Sequence, residues 1–387
     1  MPDNRRILIL WNQVEDDVYE RWRAEGRTSV DWDPERVIHD VGTVAEEMVQ
    51  IEEALREAGH QVATVNIRDD FHSLVAAVHG HRPDAVMNLV EFFGDDIAHE
   101  SHVAGVLELL GVSYTGSRPF ALTLCQRKHR AKAMLREAGL PTSPSFVVSG
   151  RVGDDRAPRD HGLRFPLIVK PAFEDASGGI ELTSVVRDQA ALDDRVVFTL
   201  REYAMPVLVE EYIDGREIHC AVLGNDPPEP LPLFEMEFAE RLGADGRPLP
   251  KIITFRAKWD PYHRDFYAMD GRCPAEGLEP EVVAHVQDVA IRAARTLGCR
   301  DYARVDMRLD AATGEPYILE VNPNPDLADG GAFMQCATAS GRSFAQTVGQ
   351  IVGFALARAR GRGAAAAAAG PTDQLLKEFL ASTDKVP

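Results

Sequence analysis

The sequence predicts an α/β protein of several domains that opens on a parallel sheet flanked by helices. Three observations carry this. Residues 6–140 alternate apolar, β-rich runs with amphipathic stretches, the rhythm of βαβ units. Two β-rich runs, residues 301–310 and 316–323, are joined by Ala-Ala-Thr-Gly-Glu, a hairpin signature. A chain of 387 residues has length for about two to three domains with ample core.

The elements follow in order. Residues 6–10 form a first buried strand; the apolar run from Ile7 to Trp11 is too short for a secretory signal. A polar connection, residues 15–42, carries Trp22 and Trp32; loops of this length are often lids or binding elements. Thr43-Val-Ala-Glu46 is a capping box opening a helix that stops at Gly59. Strands at 61–67 and 84–90 follow, then a helix over 97–110. A helix over about 120–138 stops at Gly139-Leu-Pro141. Residues 145–149, 165–171, 207–213 and 217–224 read as strands, with a β-rich section continuing to Trp259. A helix over 281–297 precedes the hairpin, and a last helix spans 343–360. Gly361-Arg-Gly and the alanine run 364–369 read as a linker. Residues 372–380 could form a short amphipathic helix, so 361–387 is expected to be a tail outside the fold.

Composition narrows the function. Apolar residues make up 45% and charged residues 27%, as in ordinary globular proteins. A formal net charge of -19 argues against nucleic acid or an anionic membrane as partner. No window approaches a membrane span. Cys125, Cys220, Cys273, Cys299 and Cys336 lack metal-type spacing and read as reduced thiols of a cytoplasmic protein.

Chemistry concentrates in the hairpin. Side chains two apart on a strand share a face, so Arg304 and Asp306 lie together, as do Glu320 and Asn322. Pairing of the two runs would bring three oxygen-bearing side chains and one guanidinium together. Such hard donors suit Mg²⁺ held against nucleotide phosphates, although a hairpin with charged outer positions is also common. Lys128 opens a helix, and Lys170 and Lys258 each end an apolar run; a single such lysine is usually a solvated edge charge. After Lys170, Glu174-Asp-Ala-Ser177-Gly-Gly179 is a small-residue loop whose N–H groups could approach phosphate oxygens, or a plain turn. Val207-Leu-Val-Glu210-Glu211-Tyr-Ile213 places a carboxylate in a buried strand, which demands a partner. An adenine amino group and ribose hydroxyls would satisfy Glu210 and Glu217; salt bridges would do so equally.

These motifs together resemble an ATP-grasp ligase of the D-alanine–D-alanine ligase type. The likeness runs in order through residues 106–344. It includes Tyr114-Thr-Gly-Ser117, Lys128, Ala138-Gly-Leu-Pro141, Phe165-Pro-Leu-Ile-Val-Lys170-Pro, Glu210-Glu-Tyr-Ile213, Glu217, Ala257-Lys258, Cys273-Pro-Ala, Arg304-Val-Asp306 and Glu320-Val-Asn322. Before residue 90 only the βαβ character agrees. The resemblance implies an ATP-grasp fold behind an N-terminal parallel-sheet domain. The expected division is 1–117, 118–225 with the mobile phosphate loop, 226–360 with the metal hairpin, and the tail. It implies that Lys128, Lys170 and Lys258 bind ATP phosphates, that Glu210, Glu211 and Ile213 border adenine, and that Glu217 meets the ribose. Glu174 and Ser177 belong to the phosphate-covering loop. Asp306, Glu320 and Asn322 would hold a pair of Mg²⁺ ions, or Mn²⁺ in their place. Arg304, with Lys258, would act in catalysis by stabilising charge on the reacting centre. The reaction implied is attack of a carboxylate on the γ-phosphate, giving an acylphosphate that an amine then opens. Relatives of this kind are commonly homodimers.

Two regions depart from the family pattern. The glycine-rich turn and glutamate that grip the first substrate's ammonium are replaced by Trp11-Asn-Gln-Val-Glu15-Asp-Asp17, where Glu15 or Asp17 would have to serve. After the hairpin, Asp326 stands where the family has glycine, and Gly331 where it has the serine that holds the acceptor's carboxylate. Ala176 also replaces a loop serine. An added acid repels a carboxylate, so the expected substrates are an amino-acid-like carboxylate and an amine other than two D-alanines. The alternatives are a true D-alanine–D-alanine ligase with an unusual acceptor loop, and a non-catalytic nucleotide-binding module.

Overall fold

The computed structural model describes residues 4–368 except 16–19, 21–23, 25, 27–28, 38–41, 151–156 and 175–176. Strand β1 (Arg6–Trp11) carries the run Ile-Leu-Ile-Leu, whose alternate side chains enter two different cores. It lies between β4 (Gln61–Asn66) and β5 (Ala85–Leu89) in a parallel sheet, order β4-β1-β5. Between them the hairpin β2 (Ser29–Val30) and β3 (Asp33–Val37) stands apart as a two-stranded ribbon. Helix α1 (Val44–Glu57) starts at the expected capping box, with both reciprocal hydrogen bonds made. Helix α2 (Phe71–His81), not singled out in the sequence, makes the second crossover, and α3 (Glu100–Leu109) the third.

The single helix expected over 120–138 is two. Helix α4 (Pro119–Gln126) and α5 (Lys128–Glu137) meet at Arg127, whose φ -92 and ψ 67 are not helical. The break sets Lys128 at the first position of a new helix. Next comes a four-stranded antiparallel sheet, order β6-β9-β7-β8, from β6 (Ser145–Val148), β7 (Leu167–Pro171), β8 (Val185–Val186) and β9 (Val207–Glu211). Helix α6 (Gln189–Tyr203), capped by Asp188, covers one face.

The largest sheet is antiparallel: β10 (Gly215–Leu223), β12 (Phe234–Phe238), β13 (Met269–Arg272), β14 (Tyr302–Asp310) and β15 (Pro316–Asn322), with the short β11 (Glu229–Pro230) on β10. The β-rich section expected to reach Trp259 ends at Phe238. The chain then runs irregularly to helix α7 (Phe255–Trp259), because Gly243, Gly246, Pro248 and Pro250 break any ladder. Helix α8 (Pro280–Leu297) packs on one face of the sheet, burying Val286, Val289, Ala293 and Leu297 against Val305, Met307 and Ile318. Helix α9 (Ala332–Ala339) and α10 (Phe344–Ala368) cover part of the other. The last helix continues past Arg360 into the alanine run as far as Ala368, where a linker was expected; alanine has the highest helix propensity and outweighs the two glycines. Residues 369–387, with the expected helix at 372–380, lie outside the described residues. One core joins Ile7 and Ile9 of the first sheet and Ile51 of α1 to Tyr302, Phe333 and Ile351, so the N-terminal sheet and the large sheet share α10. No helix among the described residues is long and apolar enough to cross a membrane.

Candidate active site

The hairpin forms as its alternation required. Arg304 pairs with Asn322 and Asp306 with Glu320 in the β14–β15 register. A bulge after Asp306 solves a phase problem. Strict alternation would put Ile318 and Glu320 on one face, yet Ile318 and Val321 both enter the core against α8. The extra residue lets Glu320 and Asn322 face the same side as Arg304 and Asp306. Next to them, β10 contributes Glu217 opposite Arg308 and His219 opposite Asp306.

The polar face is tightly paired. Arg304 donates from Nε and Nη2 to the two Asp306 oxygens at 2.7 and 2.8 Å, and Asn322 Nδ2 donates to Asp306 Oδ2 at 2.9 Å. Burial would push the Asp306 carboxyl up, but the Arg304 guanidinium overrides it and holds the group well below the usual carboxylate range. Burial would likewise lower Arg304; Asp306 overrides it and the net direction is upward, with Glu320 and Asp326 adding to it. Lys128 Nζ lies 3.1 Å from Glu320 Oε2 and donates to the Glu174 carbonyl at 2.7 Å. That lysine therefore links the metal-type hairpin to the small-residue loop.

A second cluster lies on the four-stranded sheet. Ile168, Lys170, Leu208 and Glu210 share one face, away from the Val169–Val209 core. Lys170 Nζ donates to Glu210 Oε2 at 3.0 Å, and Lys132 Nζ pairs with Oε1 of the same carboxylate. Burial would raise Glu210, but Lys132 and Lys170 outweigh it and hold it down at about 2. Burial draws Lys132 down to about 8 despite Glu210. Glu210 is thus paired with two ammonium groups, the salt-bridge alternative to the expected adenine amino group. Lys132 was not anticipated. Its signal was the i, i+4 spacing from Lys128 on a helix whose neighbours Ala131 and Leu135 are core residues.

Other expected positions sit differently. Glu211 points to the opposite face from Glu210 and is gripped by Arg164, whose backbone N and Nη2 donate at 3.0 and 2.8 Å. Strand alternation forces that separation. Glu217 is buried between Arg308, 3.1 Å away, and His219 Nε2 at 3.4 Å. Ile213 is buried just past β9. Ser177 adopts a positive φ of 65° in the loop, and Ile180 N–H closes the turn on its carbonyl at 3.0 Å. Lys258 is not at a strand end: it is exposed on α7, over the Trp259 ring at 4.9 Å. That helix is nonetheless tied to the loop by Phe255 N–H donating to Ile180 O at 3.1 Å.

Glu15 is exposed, and its carbonyl accepts Gln13 Nε2 at 3.0 Å; Asp17 lies outside the described residues. Trp32 of the long connection docks on the segment after α7, its Nε1 donating to Tyr262 O at 2.7 Å and its ring edge-on to Tyr267; Trp22 lies outside the described residues. Asp326 is exposed, with Oδ1 accepting the Ala328 N–H at 2.9 Å. Gly331 caps α9 through extended backbone, and a Cβ there would meet Ala328 O at 3.0 Å.

Comparison with known proteins decides the family. The model of the D-ala D-ala ligase C-terminus matches residues 134–353, more than half the chain. A D-alanine–D-alanine ligase of Ralstonia nicotianae is 33% identical over 287 residues, 74% of this chain and 75% of that protein. The chain belongs to the D-alanine–D-alanine ligase family. Members are ATP-dependent, ADP-forming ligases, and this chain is one. An uncharacterised protein, y4sG, of Sinorhizobium fredii is 36% identical over 324 residues, 82% of this chain and 88% of that protein. Among solved structures, D-alanine–D-alanine ligase from Bacillus anthracis complexed with ATP superimposes with a TM-score of 0.64. It is 20% identical and covers 92% of this chain and 99% of its own, a likeness that speaks to the ATP-grasp fold alone.

For a member of this ligase family, the residues present fit a divalent cation beside ATP phosphates. Among the described residues no three His, Cys, Asp or Glu side chains gather as a metal site. The hairpin offers two carboxylates and an amide oxygen instead, with cationic Lys128 and Arg304 beside them. Hard oxygen donors next to ammonium groups suit a metal–phosphate pair. One buried nitrogen on the same face, His219 Nδ1, has no hydrogen-bond partner.

Proposed function

We propose that this ligase joins a carboxylate to an amine through an acylphosphate, on amino-acid-like substrates other than two D-alanines. The observation that carries it is the pair Asp326 and Gly331. Asp326 adds negative charge near Arg304, and Gly331 starts α9 without the hydroxyl that would bind an acceptor carboxylate. An amine lacking a carboxylate, or a larger amino acid with a second polar group, suits such a pocket.

The roles follow from chemistry. Lys128 and Lys170 would meet phosphate oxygens, and Lys258 would join them through a joint movement of α7 and the glycine loop. Lys132 and Glu210 position Lys170. Asp306, Glu320 and Asn322 would hold Mg²⁺, which when bound supplies charge neutralisation on the transferring phosphoryl group. Arg304, fixed in orientation by Asp306, would offset charge on the tetrahedral oxyanion formed as the amine attacks. The loop 174–179 would exclude water that otherwise hydrolyses the acylphosphate. On this reading the chain divides at about residues 117 and 225. The enzyme works in the cytoplasm, in keeping with five free cysteines, as a homodimer.

A second reading, synthesis of D-alanyl-D-alanine, is favoured by the relatives that carry that name at 31–33% identity. Acceptor-dependent ADP release separates the two. The proposal expects poor coupling of two D-alanines by the wild type, and improvement in the Asp326→Gly, Gly331→Ser variant. Ordinary ligase efficiency on two D-alanines by the wild type would overturn it.

A further inference from the structure

His219 is an imidazole in the middle of the carboxylate face. It is 4% exposed, sits opposite Asp306 on β10, and its ring is stacked on Phe234 at 5.3 Å and 22°. Nε2 lies 3.4 Å from Glu217 Oε1. Glu217 Oε2 is salt-bridged to Arg308 Nη2 at 3.1 Å, so the carboxylate accepts and Nε2 donates to it; in the neutral ring Nδ1 then carries the lone pair. Nδ1 is buried and unpartnered, and lies 3.8 Å from Asp306 Oδ1. Leaving a buried acceptor unsatisfied is costly, and the ring cannot turn away without breaking its contacts with Glu217 and Phe234.

Two donors about 2.1 Å from one ion are separated by roughly 3 to 4 Å, which includes the observed distance. A histidine that ligates through one nitrogen and donates from the other to a carboxylate is the usual arrangement at metal centres. We infer that His219 Nδ1 is a nitrogen ligand for a divalent cation shared with Asp306, and that it biases the site toward Mn²⁺ or Co²⁺ over Mg²⁺. Mg²⁺ takes oxygen ligands, whereas imidazole suits transition metals. This rests on the reading of Asp306, Glu320 and Asn322 as the metal face.

The test uses the full-length protein, stripped of metal, with Mn²⁺ and ADP. Protein grown with ¹⁵N-histidine against otherwise ¹⁴N protein should change the nitrogen modulation in the electron spin echo of bound Mn²⁺, because a histidine nitrogen is coordinated. His219→Ala should remove that modulation and weaken Mn²⁺ by at least about tenfold, while Mg²⁺ affinity changes far less. Absence of a histidine signal in the wild type overturns the inference, and this needs no variant to fold. If Asp306→Asn loses both metals while His219→Ala keeps the Mn²⁺ to Mg²⁺ ratio, the histidine inference falls and the oxygen face stands. If Asp306→Asn and Glu320→Gln both leave metal affinity unchanged, the metal face falls and takes the inference with it.

Discussion

Glu320 pairs with Lys128 Nζ at 3.1 Å, and in the proposed site its carboxylate would help hold the metal ion. Glu320→Gln keeps shape and hydrogen bonding but removes the charge. It should abolish ADP release while leaving circular dichroism and the melting temperature near wild type. A folded variant with normal turnover would refute the metal role. Glu210 makes a different prediction. Its folded value of about 2 lies below the ordinary 4.5, so the carboxylate contributes stability above the unfolded value and loses it as pH falls toward about 2. The shift corresponds to about 3 kcal/mol. Urea midpoints measured between pH 6 and 2.5 should fall, and Glu210→Gln should flatten part of that fall, starting from a lower plateau.

The loop after β7 is decided by element geometry. Gly179 has φ 71°, and a Cβ there would lie 2.6 Å from Pro171 Cγ and 2.9 Å from Tyr203 Cζ. Arg195 of α6 fixes it further, donating to the Gly179 carbonyl at 2.9 Å and to Ser184 Oγ. Gly179→Ala should cost at least about 1–2 kcal/mol from left-handed strain alone. Displacing the loop should also weaken nucleotide affinity in calorimetry; unchanged ATP affinity would remove this loop from the phosphate site. Helix α5 matters in the same way. Because it begins afresh at Lys128, one helical face delivers Lys128 to Glu320 and Lys132 to Glu210, tying the hairpin to the four-stranded sheet.

At the scale of the whole molecule, Asp301 is the knot. It is fully buried at φ 69° and accepts from Gly116 N, Asn225 Nδ2 and Arg358, at 3.0, 3.0 and 2.7 Å. Those donors come from the turn after the first sheet, the turn after β10, and α10. Asn324 adds a second tie, accepting Ser117 N–H at 2.8 Å and donating to Glu100 at 3.1 Å. The joint holds the end of the β14–β15 hairpin against the N-terminal sheet. Arg358→Ala leaves a buried carboxylate short of its cation and should cost about 3 kcal/mol, read as a lower denaturation midpoint. Arg358→Lys should recover part of it, since charge returns but the paired donors do not.

Much of this was readable from local chemistry. The capping box at Thr43, the alternation of Arg304 with Asp306, and the stop at Gly139-Leu-Pro141 each rest on neighbours in sequence, and each formed. Periodicity failed where it had little to act on, as after Phe238, where glycines and prolines replace a strand, and at Arg127, where one helix became two. What the sequence by itself determined was the family, the hairpin and its donors, because those depend on residue identity at short spacing. The partners were decided only by tertiary structure. Lys132 reaches Glu210 across 78 residues, His219 meets Asp306 through strand register, and Asp301 gathers donors from three distant segments. Burial strengthens such charge pairs and makes an unpartnered group costly, yet burial is a property of the assembled fold and of no single segment.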